Sequence, residues 1–441
     1  MGAFWCELAW LGAGRVESDV LVQTEDERIA SVSVGVGAPA EATRMPGLVI
    51  PGFANAHSHA FQRALRGRAA SEGSFWTWRE RMYELAEALD PDRYRELARA
   101  TFGEMALAGI TTVGEFHYLH HDRGGARYSD ANAMGEALIA AAGEAGIRLT
   151  LLDACYLHGG IGTAPEGAQR RFSDGDAATW AERVSELGDG PGMRVGAAIH
   201  SVRAVDPEAA GTVAVWADRR GAPLHAHVSE QPAENEACIE AYGSTPTAVL
   251  ADAGALNERF VAVHGTHLAG PDVGLLGELG CACCLCPTTE RDLADGIGAA
   301  RELADAGIRL AFGTDSNAVI DMFEEARATE LDQRLASGVR GRSTPVELLE
   351  AATSGGHACL GWPEAGRIES GALCDLVAVD LEGARLAGVL REDPVPSLIF
   401  AGSAADVRDV IVGVRQVVRD GAHVRFDVGA ELRAAIEAAW S

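Results

Sequence analysis

Residues 48–59 read LVIPGFANAHSH, an apolar run that closes on two histidines, His57 and His59. The same pattern, an apolar run of strand length that ends on a polar or ionisable residue, recurs seven more times, at 109–118, 148–156, 194–202, 223–230, 259–268, 281–289 and 308–316. Segments of helical composition, rich in Ala, Glu, Leu and Arg, lie between these runs and include 93–108, 131–146, 246–256 and 298–307. Eight strand–helix repeats predict an α/β fold, a (β/α)₈ TIM barrel.

Both ends of the chain carry short β patterns outside the eight runs. The N-terminal end contains VLVQ and RIASVSVG, and the C-terminal end contains LCDLVAVDL and VRDVIVGVRQVVRDGAHV. We predict that these segments pair into one small β-sandwich domain. The expected division of the chain is 1–47 for the N-terminal part of that domain, 48–361 for the barrel and 362–441 for the C-terminal part.

The charge balance excludes several classes of partner. The chain of 441 residues has 37 basic and 64 acidic residues and a net charge of −27, which repels nucleic acid phosphates and anionic lipid. Every basic residue is an arginine, because the sequence contains no lysine. The absence of lysine excludes a phosphate-binding P-loop lysine, a pyridoxal Schiff base and a carboxylated lysine that bridges two metals. We expect a small-molecule substrate and neither nucleic acid nor membrane as a partner.

The location of the protein is expected to be cytoplasmic. The first twenty residues carry acidic side chains and only short apolar runs, unlike a secretory signal, and no stretch has the ~18 apolar residues of a membrane span. Nine cysteines is an odd number, and four of them crowd residues 281–286. Such a cluster suits buried thiols in a reducing compartment better than a disulfide framework.

Histidines concentrate in the eight runs. Chance would place roughly two of the thirteen histidines there, whereas the runs hold His57, His59, His117, His200, His225, His227, His264 and His267. A buried-core explanation does not predict that excess. Barrel enzymes carry their chemistry at the C-terminal ends of the strands, where most of these histidines fall.

A metal site is the interpretation that best explains this concentration. His57 and His59 are two apart on one strand, so alternation directs both imidazoles to the same face. The fifth run offers a second such pair, His225 and His227, and periodicity alone does not choose between them. With His264 from the sixth run and Asp315 at the end of the eighth, a mixed N/O site is expected, suited to zinc, with iron as an alternative metal.

Longer strings carry a family resemblance. PGFANAHSHAFQRALRG at 51–67, HAHVSE at 225–230, VAVHGTHL at 261–268 and FGTDS at 312–316 resemble the amidohydrolase superfamily across the whole barrel. Within it, SFWTWRERMY at 74–83, EFHYLHHD at 115–122, HSVRAV at 200–205 and CLCPTTERDLADG at 284–296 are similar to the formimidoylglutamate deiminase branch, whose members act in histidine degradation. These strings are much more specific than a lone His-x-His.

The resemblance implies a ligand set and a catalytic set. The implied ligands of a single zinc are His57, His59, His227 and Asp315, so the resemblance selects His227 over His225. Glu230 and His264 complete the catalytic set. The absence of lysine agrees with one metal, because relatives with two metals need a bridging carboxylated lysine. One departure is Asn317, where the family pattern leads us to expect a histidine.

The chemistry implied is hydrolytic deimination of N-formimidoyl-L-glutamate to N-formyl-L-glutamate and ammonia. Zinc supplies hydroxide near neutral pH, and Asp315 accepts the proton. Glu230 hydrogen-bonds the formimino nitrogen and passes it the proton that lets ammonia depart. His264 stabilises the charge that develops on the oxygen.

The substrate's two carboxylates need local guanidinium groups in so acidic a chain. Arg203, at the end of the fourth run, is the first candidate and Arg79 the second; further hydrogen bonds are expected from Gln62, Tyr118 and His200. Trp76 and Trp78 are expected to be lid or packing aromatics. A homodimer is expected from the resemblance.

Two other functions remain open on the sequence. One is an aminohydrolase of the same fold that acts on a purine, pterin or triazine ring. An aromatic content of 6% gives no indication of a pocket in which such a ring would stack. The other is a metal-free barrel that serves as a scaffold or binding protein. Four intact candidate ligands argue against the scaffold.

Overall fold

The computed structural model describes residues 2–68 and 75–441, and for residues 75–77 it describes the backbone alone. The strands in these ranges are β1 Gly2–Trp10, β2 Val16–Glu25, β3 Arg28–Ser33, β4 Thr43–Pro51, β5 Phe53–Ser58, β6 Ile110–His117, β7 Arg148–Cys155, β8 Met193–Ile199, β9 Leu224–Val228, β10 Phe260–His264, β11 Ala282–Leu285, β12 Arg309–Phe312, β13 Leu376–Val379, β14 Val407–Val412, β15 Arg415–Arg419 and β16 Ala422–His423.

Helices follow most of the barrel strands. They are α1 Phe75–Ala88, α2 Pro91–Leu107, α3 Ala133–Ala145, α4 Ala177–Val184, α5 Pro207–Arg220, α6 Pro232–Tyr242, α7 Pro246–Asp252, α8 Gly270–Glu278, α9 Pro287–Asp292, α10 Ala300–Asp305, α11 Met322–Ser337, α12 Pro345–Glu350, α13 Gly356–Cys359, α14 Val395–Ala401 and α15 Val428–Ala439. None of the helices in the described ranges combines the length and the apolar character needed to span a bilayer.

The eight strands β5 to β12 form a parallel sheet in sequential order. The sheet closes on itself where Ser58 at the end of β5 pairs with Asp315 beyond β12. At this seam the peptide N–H of Asp315 donates to the carbonyl of His57 at 3.0 Å, and the N–H of His59 donates to the carbonyl of Asp315 at 2.9 Å. The predicted (β/α)₈ barrel is confirmed. Seven of the eight sequence runs contain a whole barrel strand, and β8 begins one residue before the run 194–202.

A close approach at the seam requires glycine. A Cβ placed on Gly313 would lie 2.7 Å from the Cβ of His57 and 2.8 Å from its carbonyl oxygen. Real Cβ atoms do not come so near to backbone, so any larger residue would push β5 and β12 apart. Because glycine has no Cβ, the strand end that carries His57 and His59 and the turn that carries Asp315 can lie this close together.

The remaining strands form a second sheet from both ends of the chain, in the order β16–β15–β14–β13–β4–β1–β2–β3. The central strand β4 pairs in parallel with β1 and antiparallel with β13, which joins the N-terminal strands to the C-terminal ones. This confirms the predicted β-domain of the two termini. Its side chains enclose a core separate from that of the barrel, which includes Phe4, Val22, Met45 and Leu376.

The first sequence run is shared between the two sheets, because β4 ends at Pro51 and β5 begins at Phe53. The domain division at 47/48 and 361/362 stays a prediction, and β4 crosses the first of these boundaries. A buried ion pair also connects the two sheets: Arg148 on β7 donates to both carboxylate oxygens of Asp375, at 3.0 and 3.1 Å. Neither side chain is more than 3% exposed.

Candidate metal centre and active site

Four side chains converge at the C-terminal end of the barrel. Oδ1 of Asp315 lies 3.2 Å from Nε2 of His57 and 3.3 Å from Nε2 of His59, and Nε2 of His227 lies 3.2 Å from that of His57. The four ligand atoms all lie within 4.8 Å of one another. A tetrahedral zinc with ligand bonds of about 2.0–2.1 Å separates its ligand atoms by about 3.3 Å. The spacing therefore fits one such ion.

Backbone carbonyls fix the orientation of two of these rings. Nδ1 of His59 lies 2.9 Å from the carbonyl of Phe116, and Nδ1 of His227 lies 2.7 Å from that of His200. Since a carbonyl only accepts, each Nδ1 carries the proton and each Nε2 presents a lone pair to the centre. The strand ends β6 and β8 thus set the tautomer of the histidines beside them.

The charge state of the group also suits a cation. Burial lowers the pKa of His59 to about 3 and, together with the neighbouring histidines, lowers the pKa of His57 and His227 well below the usual value. Burial raises the pKa of Asp315 to about 7 despite the opposing effect of His264. Three neutral imidazoles and a buried carboxylate form a donor set that a divalent metal satisfies.

The backbone around the centre is strained. Ser229, His264, Asp315 and Asn317 have φ of +52°, +67°, +43° and +56°, in the left-handed region that residues other than glycine seldom adopt. Ser229 directly follows β9, His264 ends β10, and Asp315 and Asn317 lie in the turn after β12. Such strain, gathered at one rim, is typical of functional sites.

The hydrogen bonds of Asn317 show what this residue does at the position where the family pattern leads us to expect a histidine. Its Nδ2 donates to the hydroxyl of Ser58 at 3.2 Å and to the carbonyl of His59 at 3.0 Å, while its Oδ1 accepts from the hydroxyl of Thr314 at 2.6 Å. Asparagine also tolerates the left-handed conformation better than most residues. Asn317 therefore ties the strand that carries the two histidines to the turn that carries Asp315.

His264 and Glu230 face the metal group. Nε2 of His264 lies 4.0 Å from Oε1 of Glu230 and 3.9 Å from Oδ2 of Asp315, so it lies between the two carboxylates. Its Nδ1 is 3.4 Å from Glu290. Burial alone would lower the pKa of His264, but Glu290 and the other two carboxylates raise it to about 10.

A cavity of about 360 Å³ opens onto these groups. Glu230, His264 and Asp315 line it. So do all five residues predicted to bind substrate, namely Gln62, Arg79, Tyr118, His200 and Arg203. The structure thus brings the predicted metal, catalytic and substrate-binding residues into one place, in a space large enough for a small molecule.

The cavity wall shows how several of these residues are held. Nε2 of Gln62 donates to the hydroxyl of Tyr118 at 2.9 Å, and the guanidinium of Arg79 stacks over the ring of Tyr83 at 5.7 Å. The ring of His200 packs against that of Tyr156, with centroids 4.7 Å apart. Trp78 lines the cavity, whereas the Trp76 side chain lies outside the described residues.

Three histidines of the runs lie outside both the metal group and the cavity wall. His225 lies two residues below His227 on the same strand, and its Nε2 donates to the carbonyl of Cys359 at 3.0 Å. His267 donates to the carbonyl of Asp295 at 2.7 Å. His117 packs against His120, with Nε2 and Nδ1 3.3 Å apart. The carbonyl contacts of His225 and His267 are structural, and they account for part of the histidine excess without any ligand role.

Glu290, Glu234, Phe116 and Tyr156 contribute to the site without having been predicted. Glu234 lies four residues after Glu230, in the first turn of α6. Glu290 stands in the string CLCPTTERDLADG, so it had a sequence signal. The carbonyl of Phe116 and the ring of Tyr156 had none, because backbone groups and packing contacts leave no mark in a single sequence.

A sequence profile described as "Amidohydrolase family" matches residues 48–421, more than four-fifths of the chain and the whole barrel. The chain belongs to the amidohydrolase family. Membership agrees with the convergent His, His, His and Asp donors at the C-terminal rim.

Individual proteins are similar to this amidohydrolase over nearly its full length. "Formimidoylglutamate deiminase" of Pseudomonas aeruginosa is 37% identical over 437 residues, 96% of each chain. "5-methylthioadenosine/S-adenosylhomocysteine deaminase" of Natronomonas pharaonis is 29% identical, over 95% of this chain and 92% of the other. Among solved structures, an amidohydrolase from Brucella melitensis is 34% identical and superposes with a TM-score of 0.93 over all of both chains.

Proposed function

We propose that this amidohydrolase is a zinc-dependent deiminase that hydrolyses N-formimidoyl-L-glutamate to N-formyl-L-glutamate and ammonia. The observation that carries the proposal is the position of Arg203: it lines the same cavity as the metal group, and its Nη2 lies 3.0 Å from Glu230. The 37% identity to the Pseudomonas deiminase over nearly the whole chain supports the same substrate.

Zinc is the metal that the donor set favours, and His57, His59, His227 and Asp315 would hold it. When bound, it supplies a Lewis acid that makes hydroxide available from water near neutral pH. The remaining work falls to residues of the chain. They must orient the formimino carbon, accept the proton of the attacking water and deliver a proton to the departing nitrogen.

We assign these tasks to Asp315, Glu230 and His264, as the family resemblance implies. Asp315 takes the proton as the water oxygen bonds to the carbon of the protonated formimino group and the carbon–nitrogen double bond becomes single. Glu230 then delivers a proton to the terminal nitrogen, the bond from carbon to that nitrogen breaks to release ammonia, and the new hydroxyl group returns a proton to Glu230 as the carbonyl forms. Nε2 of His264 lies between the two carboxylates, about 4 Å from each. From there it stabilises charge on the oxygen of the tetrahedral carbon.

A second candidate is deamination of a purine ring. It has support from the cavity wall, which contains the aromatic side chains Trp78, Tyr83, Tyr118, Tyr156 and Phe172. Aromatic rings stack favourably on purines. The Natronomonas relative is named as a deaminase of 5-methylthioadenosine and S-adenosylhomocysteine. The two arginines in the wall favour the acyclic dicarboxylate over this alternative.

An ammonia-release screen distinguishes the two candidates. We expect release from N-formimidoyl-L-glutamate and little from guanine, cytosine or S-adenosylhomocysteine. Carbamimidoylglutamate, which carries the same two carboxylates, tests the imine against the guanidino form of the substrate. An analogue that lacks one carboxylate should be a much poorer substrate. Equal turnover of the mono-carboxylate analogue, or preferred turnover of a purine, would favour the ring-deaminase function over the deiminase function.

Replacement of Arg203 tests the dicarboxylate pocket directly. Loss of a guanidinium partner from a buried carboxylate typically costs ~2–5 kcal/mol, so Arg203→Ala and Arg203→Lys should lower kcat/KM by about 30-fold to several thousand-fold. Zinc content should not change. The exposed Arg219 provides a control: Arg219→Ala should behave as wild type. Unchanged kcat/KM in both Arg203 variants would contradict the proposed binding mode.

We further propose a homodimer that acts in the cytoplasm on a small molecule, with no nucleic acid or membrane partner. Light scattering on the purified protein tests the dimer, and a mass of one chain at micromolar concentration would contradict it.

A further inference from the structure

Arg203 lies between two glutamates in the cavity wall. Its Nη2 donates to Oε2 of Glu230 at 3.0 Å, and its Nε lies 3.4 Å from Oε2 of Glu234. Within the described residues its Nη1 donates no hydrogen bond. A guanidinium carries five N–H donors in a rigid fork, so a third carboxylate finds donors still available.

Glu234 is placed unusually for a helix-surface glutamate. It stands in the first turn of α6 and is 1% exposed, whereas Glu236, two residues later in the same helix, faces solvent. Its Oε1 accepts from the peptide N–H of Ser229 at 3.1 Å, and its Oε2 has no hydrogen-bond donor in the described residues. The free oxygen is the one directed at Arg203.

Electrostatics agree with this geometry. Burial works against the charge of Arg203, yet Glu234 and Glu230 together outweigh burial and raise the pKa of Arg203. Burial also raises the pKa of Glu234, and the neighbouring Arg203 opposes that effect.

We propose that Glu234 is a positioning residue that holds the guanidinium of Arg203 in place for a substrate carboxylate, and so sets the selectivity of the pocket. Guanidinium and carboxylate prefer a bidentate pair. Without Glu234, Arg203 would be free to pair fully with Glu230, which would turn its donors away from the substrate and occupy the catalytic carboxylate. The inference rests on the proposed function, in which Arg203 binds a substrate carboxylate.

Binding of glutarate, a plain dicarboxylate, to the zinc-loaded protein tests the proposal without any turnover. Calorimetry should compare wild type, Glu234→Gln, Arg203→Ala and the double variant, with Glu236→Gln as the matched control on the same helix. Glutamine keeps the acceptor for the Ser229 N–H but removes the charge that faces Arg203. We expect Glu234→Gln to weaken glutarate binding at least about tenfold, or ~1.4 kcal/mol, with normal zinc content.

The double variant separates positioning from a general effect on the fold. If Glu234 acts through Arg203, the double variant should bind no more weakly than Arg203→Ala. In kinetics, Glu234→Gln should raise KM for N-formimidoyl-L-glutamate more than it lowers kcat, whereas a merely structural residue would cost zinc and melting temperature.

Several results would overturn the proposal. These are wild-type affinity for glutarate in Glu234→Gln, additive losses in the double variant, or no binding of glutarate by wild type. If Glu234→Gln loses zinc or fails to fold, Glu234→Asp replaces it, and a wild-type affinity in that shorter variant contradicts the proposal. A wild type that binds glutarate but releases no ammonia from N-formimidoyl-L-glutamate contradicts the proposed function alone, since the affinities still decide the role of Glu234.

Discussion

Depth along a strand decides what each histidine does. His225 and His227 share one face of β9, but two residues of strand rise separate them by about 6–7 Å. His227 reaches the rim, while His225 stays in the interior and donates to the carbonyl of Cys359. Alternation in the sequence gives the face of a side chain and not its depth, which is why the residues alone left both histidines open.

Loss of a ligand should remove metal and activity together. We expect the purified protein to hold about one transition metal per chain, because three histidines and one aspartate complete one site and no lysine is present to bridge a second. His57→Ala should lose both metal and turnover, as measured by elemental analysis beside an ammonia assay. His423→Ala, which lies in the terminal sheet, is the control. Two metal equivalents in a fully active preparation, or bound zinc in an active His57→Ala, would be inconsistent with this site.

Glu230→Gln should separate proton transfer from metal binding. An amide cannot shuttle a proton, so kcat should fall by about 10²–10⁴-fold while zinc content stays normal. Glu230 is not among the four converging ligands, which is the reason to expect the metal to remain. Steady-state kinetics with metal analysis checks this, and an unchanged kcat with a raised KM would make Glu230 a binding residue instead.

At the scale of elements, the strands could be predicted far better than their connections. Strands of a parallel barrel are buried on both faces and therefore stand out as apolar runs; β6 and β7 are buried at every position. The division of 48–59 between β4 and β5 could not be predicted, because an apolar run does not show which sheet each half joins. The predicted site residues depended on the longer family strings, whereas carbonyl partners such as Phe116 required the structure.

The barrel seam offers a test of an element-level contact. In Gly313→Ala the new methyl carbon would lie 2.8 Å from the carbonyl oxygen of His57, closer than non-bonded atoms normally approach. Overpacking of this kind typically costs ~1–3 kcal/mol. We expect a lower melting temperature and weaker zinc retention, because the strand that shifts carries two ligands. Gly274→Ala in α8, where a Cβ meets nothing within 4 Å, is the matched control. Wild-type zinc affinity in Gly313→Ala would contradict the close approach.

At the scale of the whole molecule, the ion pair of Arg148 and Asp375 connects the terminal sheet to the barrel. Removal of the Asp375 charge leaves the buried guanidinium of Arg148 with only the half-exposed Glu27, 3.3 Å from its Nη2. Breaking a buried pair typically costs ~3–5 kcal/mol. Asp375→Asn should therefore lower the melting temperature by several degrees and leave kcat at 25 °C unchanged, since the pair lies outside the catalytic cavity. Glu17→Gln, which breaks the exposed pair with Arg15, should have almost no effect. Equal melting temperatures for the two variants would show that the pair does not join the domains.

The pairing of β4 with β13 has a consequence for synthesis of the protein. Pro51 is paired with Leu376, more than 300 residues later in the chain. A ribosome that adds about 5–20 residues per second needs roughly 15–65 s to cover that distance. During this interval the backbone N–H and C=O groups of β4 that face β13, beside the apolar residues Leu48, Val49 and Ile50, are still without their partners. We expect slower translation to prolong this exposure and so to lower the yield of native protein.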